Sequence, residues 1–381
     1  MANIQSYTKN NKKYYKFQLY IGTNQLTGKR QKTTRSGFKT KKEAQLELSR
    51  IQLEIERGLF RKKSADTYQD VYELWLEQYK HTVQESTFVK TKGIFKNHIL
   101  PLFATYRIDK ISVPICQKHL NEWFNKLQKF RMVKAYASKV LDYAITLEII
   151  NSNPMKFLTI PKNIESPDKE ANLNYYTKEQ LIYFLKCLEE DNNYKAYALF
   201  RLLAFSGMRK GEALALTWED IDFNILEIRI NKALSRGESN RLYVKTTKTK
   251  SSNRTIKMDK NTMEILQEFR KRQKLDYFKL GYNTDQSKQI VFSNERNEHM
   301  QPTKTRKWMV QIQKKYNLEK ITTHGLRHTH CSLLFEAGAS IKEVQDRLGH
   351  GDVQTTMNIY AHVSNKAKEE AIQKFANYVD F

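Results

Sequence analysis

The sequence predicts a multidomain α+β protein. A small N-terminal domain of β-sheet plus helix precedes an all-helical domain and a mainly helical C-terminal domain with a small antiparallel sheet. Three observations predict it. Strand-like alternation is confined to the first forty residues and to a stretch near 226–258. Helical periodicity fills the region between Thr67 and Asn153. Residues 154–173 hold three of the six prolines (Pro154, Pro161 and Pro167) and read as an extended linker. The expected boundaries are therefore 1–66, 67–153, the linker 154–173, and 174–381.

The first domain is read from its alternation. In YYKFQLYIG, Tyr15, Phe17, Leu19 and Ile21 point one way and Tyr14, Lys16, Gln18 and Tyr20 the other. A turn bounded by Gly22 and Gly28 leads to a second strand, KRQKTTRSGF. Thr40 and Glu43 have capping-box spacing, Ala44, Leu48, Ile51 and Ile55 recur at helical spacing, and Gly58 supplies a stop. Residues 1–66 carry 16 Lys/Arg against 5 Asp/Glu, a net +11 within a chain total of +25. A solvated strand accounts for charge of this kind, but a sheet laid into a nucleic-acid groove accounts for it better.

In the second domain, TYQDVYELWLEQYK places Tyr68, Val71, Leu74 and Trp75 on one stripe. Further helices are expected in STFVKTKGIFKNHIL, in PICQKHLNEWFNKLQ with proline at its start, and in VKAYASKVLDYAITLEII. Their aromatic stripes read as core. Lys90, Lys92, Lys96 and Lys118 lie on the opposite faces and could reach phosphates. After the linker, TKEQL opens the largest domain, with strand patterns in LEIRI, RLYV and RTIKM.

Charge narrows the partner. With 66 Lys/Arg against 41 Asp/Glu, the chain attracts polyanions in a salt-sensitive way, nucleic acid first among them. No segment approaches the roughly 18 apolar residues of a spanning helix, and MANIQSYTKNNKKYYKF lacks the apolar core of a signal peptide. Three distant cysteines without CxxC spacing suit a reducing, cytoplasmic setting and argue against structural zinc.

Four patches of the last domain carry chemistry. In FSGMRKGEALALTWEDID, Arg209 precedes apolar residues that look buried, and Glu212 is placed to pair with it. VKTTKTKSSNRTIKM reads as two strands joined by a Lys-rich turn, where Lys245, Lys248 and Lys250 compete as proton donors. In ITTHGLRHTHCSLLFEAGAS, Thr323 is expected to cap a helix on which His324 and Arg327 are neighbours, a natural oxyanion or phosphate site. His328 and His330 invite a metal reading, but no carboxylate or Cys stands beside them at zinc-ligand spacing. In SIKEVQDRLGHGDVQTTMNIYAHV, Ser340 and Glu343 form a capping box, Gly349 stops the helix, and His350 follows. A new helix near Asp352 then places Tyr360 two turns in.

Taken in order, Arg, Lys, HxxR, LGH and a Tyr ten residues after that His resemble the catalytic set of the tyrosine recombinase (phage integrase) family. The likeness is greatest to integrases of temperate phages and conjugative transposons of Gram-positive bacteria. It implies an arm-type DNA-binding domain in 1–66, a core-DNA-binding domain in 67–153 and a catalytic domain in 174–381. It implies Tyr360 as nucleophile, Arg209, Arg327 and His350 as phosphate ligands, His324 as proton acceptor or phosphate ligand, and Lys248 as general acid. Neither metal nor other cofactor is implied. The implied partners are double-stranded core and arm attachment sites, a homotetramer on DNA, an excision factor and a host DNA-bending protein. A type IB topoisomerase shares this chemistry, and a catalytically decayed DNA-binding regulator shares the fold.

Overall fold

A computed structural model describes residues 3–9, 12–23, 30–56, 66–162, 174–246, 252–349 and 357. The chain divides into two compact units, one of residues 1–84 and 90–162, the other of residues 85–89 and 163–381.

At the N-terminus, β1 (Ile4–Lys9), β2 (Lys12–Thr23) and β3 (Arg30–Phe38) form an antiparallel sheet in that order. The first strand was not expected, because IQSYTK offers one aliphatic residue to an alternation test. Its pairing runs from Ile4↔Phe17 to Lys9↔Lys12. Phe17 is buried with Ala44, Leu48 and Ile51 of α1 (Lys41–Glu56), and Phe38 stacks on it at 5.8 Å. Glu43 N–H donates to Thr40 Oγ1 at 3.1 Å and Thr40 N–H to Glu43 Oε2 at 3.3 Å, so the capping box forms. Tyr7 and Tyr14 pair across β1 and β2 with ring centroids 5.9 Å apart, and Lys16 Nζ lies 5.8 Å from the Tyr7 ring.

The helical region comprises α2 (Tyr68–Lys80), α3 (Glu85–Ile94), a π-turn at Phe95–Ile99, α4 (Leu100–Phe103), α5 (Val113–Lys126) and α6 (Phe130–Thr146). The buried stripe of α2 is Tyr68, Val71, Tyr72 and Trp75, and Leu74 is 37% exposed. Spacing explains the correction. At 100° per residue, Tyr72 falls about 40° from Tyr68, whereas Leu74 lies about a third of a turn from it. The start of the expected linker is also part of this core. Pro154–Phe157 forms a 3-10 turn in which Met155 is fully buried. Asn153 holds the turn: its Nδ2 donates to Ser138 O, Ser138 Oγ and Asp142 Oδ1 at 2.9–3.0 Å, and its Oδ1 accepts from Met155 N–H at 2.9 Å.

The second unit contains α7 (Lys178–Glu190), α8 (Tyr194–Ser206), α9 (Lys210–Ala213), β4 (Ile221–Asp222), β5 (Glu227–Ile230), β6 (Lys232–Arg236), β7 (Leu242–Thr246), β8 (Arg254–Lys257), α10 (Lys260–Lys279), α11 (Pro302–Lys315), α12 (Gly325–Glu336) and α13 (Ile341–Leu348). Apolar nearly all round, α8 runs through the core, with nine of its residues from Ala196 to Ser206 buried. The strands flanking the Lys-rich turn do not pair with each other among the described residues. β7 pairs with β6, and β8 joins the sheet β4–β5–β8. Burial explains the split: Ile256 of β8 faces Ile228 in the core, whereas Val244 of β7 is 41% exposed. Among the described residues no helix is long and apolar enough to cross a membrane.

Asn153→Ala removes a cap and leaves buried partners unsatisfied, a loss of about 2 kcal/mol. Amide hydrogen exchange in α5 and α6 should accelerate roughly 30-fold for that loss. Unchanged protection there would mean that the turn is dispensable to the helical core.

Candidate active site

The site is built around a glycine turn. Gly207 ends α8 with φ 64°, and a Cβ there would stand 2.5 Å from both His330 Cδ2 and Leu348 Cδ2. The turn delivers Arg209 to the N-terminus of α9. Arg209 N–H donates to Glu212 Oε2 and its guanidinium to Glu212 Oε1, both at 2.9 Å, forming the expected ion pair. Glu212 is buried. Burial alone would raise its carboxyl, but the charge of Arg254 and the bonds from Arg209 hold it below its ordinary value.

The start of α12 supplies Arg327 and His324. The expected cap at Thr323 does not form; instead Gly325 N–H donates to Thr322 Oγ1 at 3.1 Å. The helical backbone starts at Gly325 with His324 as the flanking residue, and the Thr323 hydroxyl is buried with no partner among the described residues. Arg327 is only 3% exposed and donates to Gly207 O at 2.7 Å and Leu348 O at 2.9 Å. Burial and the neighbouring Arg209 lower it to about 9, which still leaves it charged at neutral pH. Burial, with His328, Arg327 and Arg209 close by, takes His324 down to about 4, so its imidazole is neutral.

Both arginines meet the C-terminus of α13. Three successive carbonyls there accept from three different guanidinia: Arg347 O from Arg254 Nε at 2.8 Å, Leu348 O from Arg327 at 2.9 Å, and Gly349 O from Arg209 at 3.3 Å. The last carbonyls of a helix have no partner within it and carry its negative end, so cations settle there. Gly349 closes α13 in the left-handed region, and the Ser340–Glu343 capping box opens it.

Arg347 and His330 fasten this end to α8. Arg347 donates to His330 Nε2, Lys257 O and Phe205 O, each at 3.0 Å, and His330 Nδ1 bonds Ala204 O at 2.8 Å. Both imidazole nitrogens are thereby used, and burial keeps the ring neutral, down to about 3. Sequence reasoning missed Arg254 and Arg347. Their cues were faint: an arginine in the last turn of a helix, and a buried acid that needs more than one donor. Of the expected residues, Arg209, His324 and Arg327 come together, whereas Lys248, its competitor Lys250, His350 and Tyr360 lie outside the described residues. Lys245 sits in β7 opposite Ala233.

Beside His324 opens a groove of about 760 Å³, with Lys210, Arg306, Lys314 and Lys320 among its lining. Met309 and Ile321 are among its apolar lining. Cations lining a concave surface suit a polyanion.

Three family patterns match the chain: an arm DNA-binding domain at 3–55, a phage integrase N-terminal SAM-like domain at 67–124, and the phage integrase family at 174–367. The chain is 30% identical to a tyrosine recombinase XerC-like protein of Caldanaerobacter subterraneus subsp. tengcongensis, over 98% of each. It is 28% identical to the ICEBs1 integrase of Bacillus subtilis, over 94% of this chain and 95% of that one. In fold it resembles the Tn1549 transposon integrase solved with a circular intermediate DNA, with a TM-score of 0.68 at 21% identity over 82% of this chain and all of that one. A lambda integrase tetramer on a Holliday junction gives a TM-score of 0.55 at 15% identity, over 93% of this chain and 94% of that one. With that pattern over residues 174–367 and that relative along almost its whole length, the chain belongs to the phage integrase family of tyrosine recombinases.

Proposed function

We propose that this site-specific DNA recombinase cleaves and rejoins DNA through Tyr360, with Arg209, Lys248, His324, Arg327 and His350 completing the site. The observation that carries the reading is the convergence of Arg209 and Arg327 on the end of α13, directly before His350. Relatives named recombinase or integrase favour strand exchange over the topoisomerase and regulator readings.

A DNA phosphodiester resists attack because its anionic oxygens repel nucleophiles and its alkoxide leaves poorly. Arg209 and Arg327 hold and neutralise the non-bridging oxygens, and His350 adds a third donor. The Tyr360 oxygen attacks phosphorus, the bond to the 5′ oxygen breaks, and a 3′-phosphotyrosine forms. Lys248 protonates the departing 5′ oxygen. His324, neutral at physiological pH, accepts the phenolic proton. A 5′-hydroxyl from the partner duplex then attacks the phosphotyrosine, and the phenol is released. Each ester bond broken is replaced by another, so the exchange needs no nucleotide hydrolysis.

The arm-type sheet in 1–66 binds sites separate from the core sequence, while the helical domain and the catalytic domain hold the core. Its Tyr7, Tyr14 and Lys16 cluster supplies stacking and phosphate contacts. Four copies assemble on DNA, helped by an excision factor and a host DNA-bending protein, and act in the cytoplasm to integrate and excise a mobile element.

Tyr360→Phe should bind a core duplex with unchanged affinity and form no SDS-resistant adduct. Residual adduct would place the nucleophile on another residue. Arg209→Ala loses one preorganised donor, about 3 kcal/mol, so single-turnover cleavage should fall roughly 100-fold. A near wild-type rate would remove Arg209 from the phosphate site. For His324 the sign is set by its lowered pKa. The folded value of about 4 lies below the usual 6.5, so the stability gained from a neutral ring is complete above 6.5 and disappears as pH falls towards 4. Imidazole NMR shifts in the DNA-free protein should stay neutral from pH 8 to about 5. A midpoint near 6.5 would contradict the neutral acceptor.

A further inference from the structure

Glu212 sits between two guanidinia that differ in access. Arg209 Nη1 lies 2.9 Å from Oε1 and its side chain is 40% exposed. Arg254 Nη2 lies 3.1 Å from Oε2 and its side chain is 7% exposed, against 3% for Glu212. One arginine can therefore face a ligand while the other cannot. Arg254 is fixed where it stands by two further bonds, to Arg347 O at 2.8 Å and to Ser252 O at 3.3 Å.

Charge decides what this arrangement does. Arg209 alone against Glu212 would be a closed ion pair, with no net charge to offer a phosphate. Two guanidinia on one carboxylate leave one positive charge in excess, and the accessible arginine carries it to the surface. We propose that Arg254 is a positioning residue of the cleavage reaction: it satisfies Glu212 from behind, so that the charge of Arg209 remains available to the scissile phosphate. The same side chain holds Arg347 O, and so fixes the end of α13 from which Gly349 O receives Arg209. The proposal rests on Arg209 acting at that phosphate.

The proposal makes the effect of Arg254 depend on the charge of the substrate, which a purely structural role would not. Two core duplexes distinguish these roles, one natural and one with a methyl group replacing a non-bridging oxygen at the scissile phosphate. The methyl removes the negative charge that the guanidinia neutralise. In the full-length chain, Arg254→Gln should form the covalent adduct on the natural duplex on the order of 100-fold more slowly. On the methyl-substituted duplex the deficit should shrink to less than about 10-fold, and gel-shift affinity should change little. Arg254→Lys keeps the charge and should stay within about 10-fold of wild type on both duplexes. An equal deficit of Arg254→Gln on the two duplexes overturns the proposal, as does a wild-type rate on the natural one. Should Arg254→Gln not fold, a folded Arg254→Lys with a 100-fold loss on both duplexes also overturns it. Arg209→Ala is the control. If it cleaves normally, the phosphate-clamp reading itself falls, whereas a defective Arg209→Ala beside a normal Arg254→Gln removes Arg254 alone.

Discussion

The second unit depends on how one helix ends. The C-terminus of α13 presents carbonyls with no partner of their own, and Arg254, Arg327 and Arg209 each take one. Those arginines come from β8, α12 and the start of α9, so a single helix end gathers the elements that form the candidate site. Arg347 adds the reverse tie, from α13 back to α8 and α12 through Phe205 O and His330. Three like charges in one place would ordinarily repel. Here the helix end and the Glu212 carboxylate supply the opposing field, and a bound phosphate would complete it.

Burial and the same crowding both bear on proton chemistry at His324. Burial does most to keep His324 uncharged, and the nearby charges of Arg327 and Arg209 push the same way. The guanidinia gathered at the end of α13 thus reinforce what burial begins, and leave the adjacent imidazole in the form able to accept a proton.

What was legible in the sequence was local. The capping boxes of Thr40 with Glu43 and Ser340 with Glu343 depend on residues three apart, and both form. The Arg209–Glu212 pair was legible for the same reason. Errors were short shifts along the chain: Leu74 for Tyr72, two residues out, and Thr323 for Thr322, one residue out. The strands beside the Lys-rich turn were assigned as neighbours because they are adjacent in sequence, whereas core burial sends them to different sheets. Contacts that define the site join distant residues: Arg254 to Glu212 across 42 positions, Arg327 to Gly207 across 120, Arg209 to Gly349 across 140. No spacing rule reaches so far. Only the ordered set of motifs, compared with a family, pointed to that assembly.

Gly207 shows how little freedom such a junction leaves. Its missing side chain is the space that His330 and Leu348 occupy, and its left-handed backbone excludes most replacements independently of that space. A larger residue there would need the two neighbours to shrink together, yet His330 is engaged at both nitrogens and Leu348 is fully buried. A side chain at position 207 therefore has to be matched by changes at both neighbours, so three distant segments of the chain share one volume.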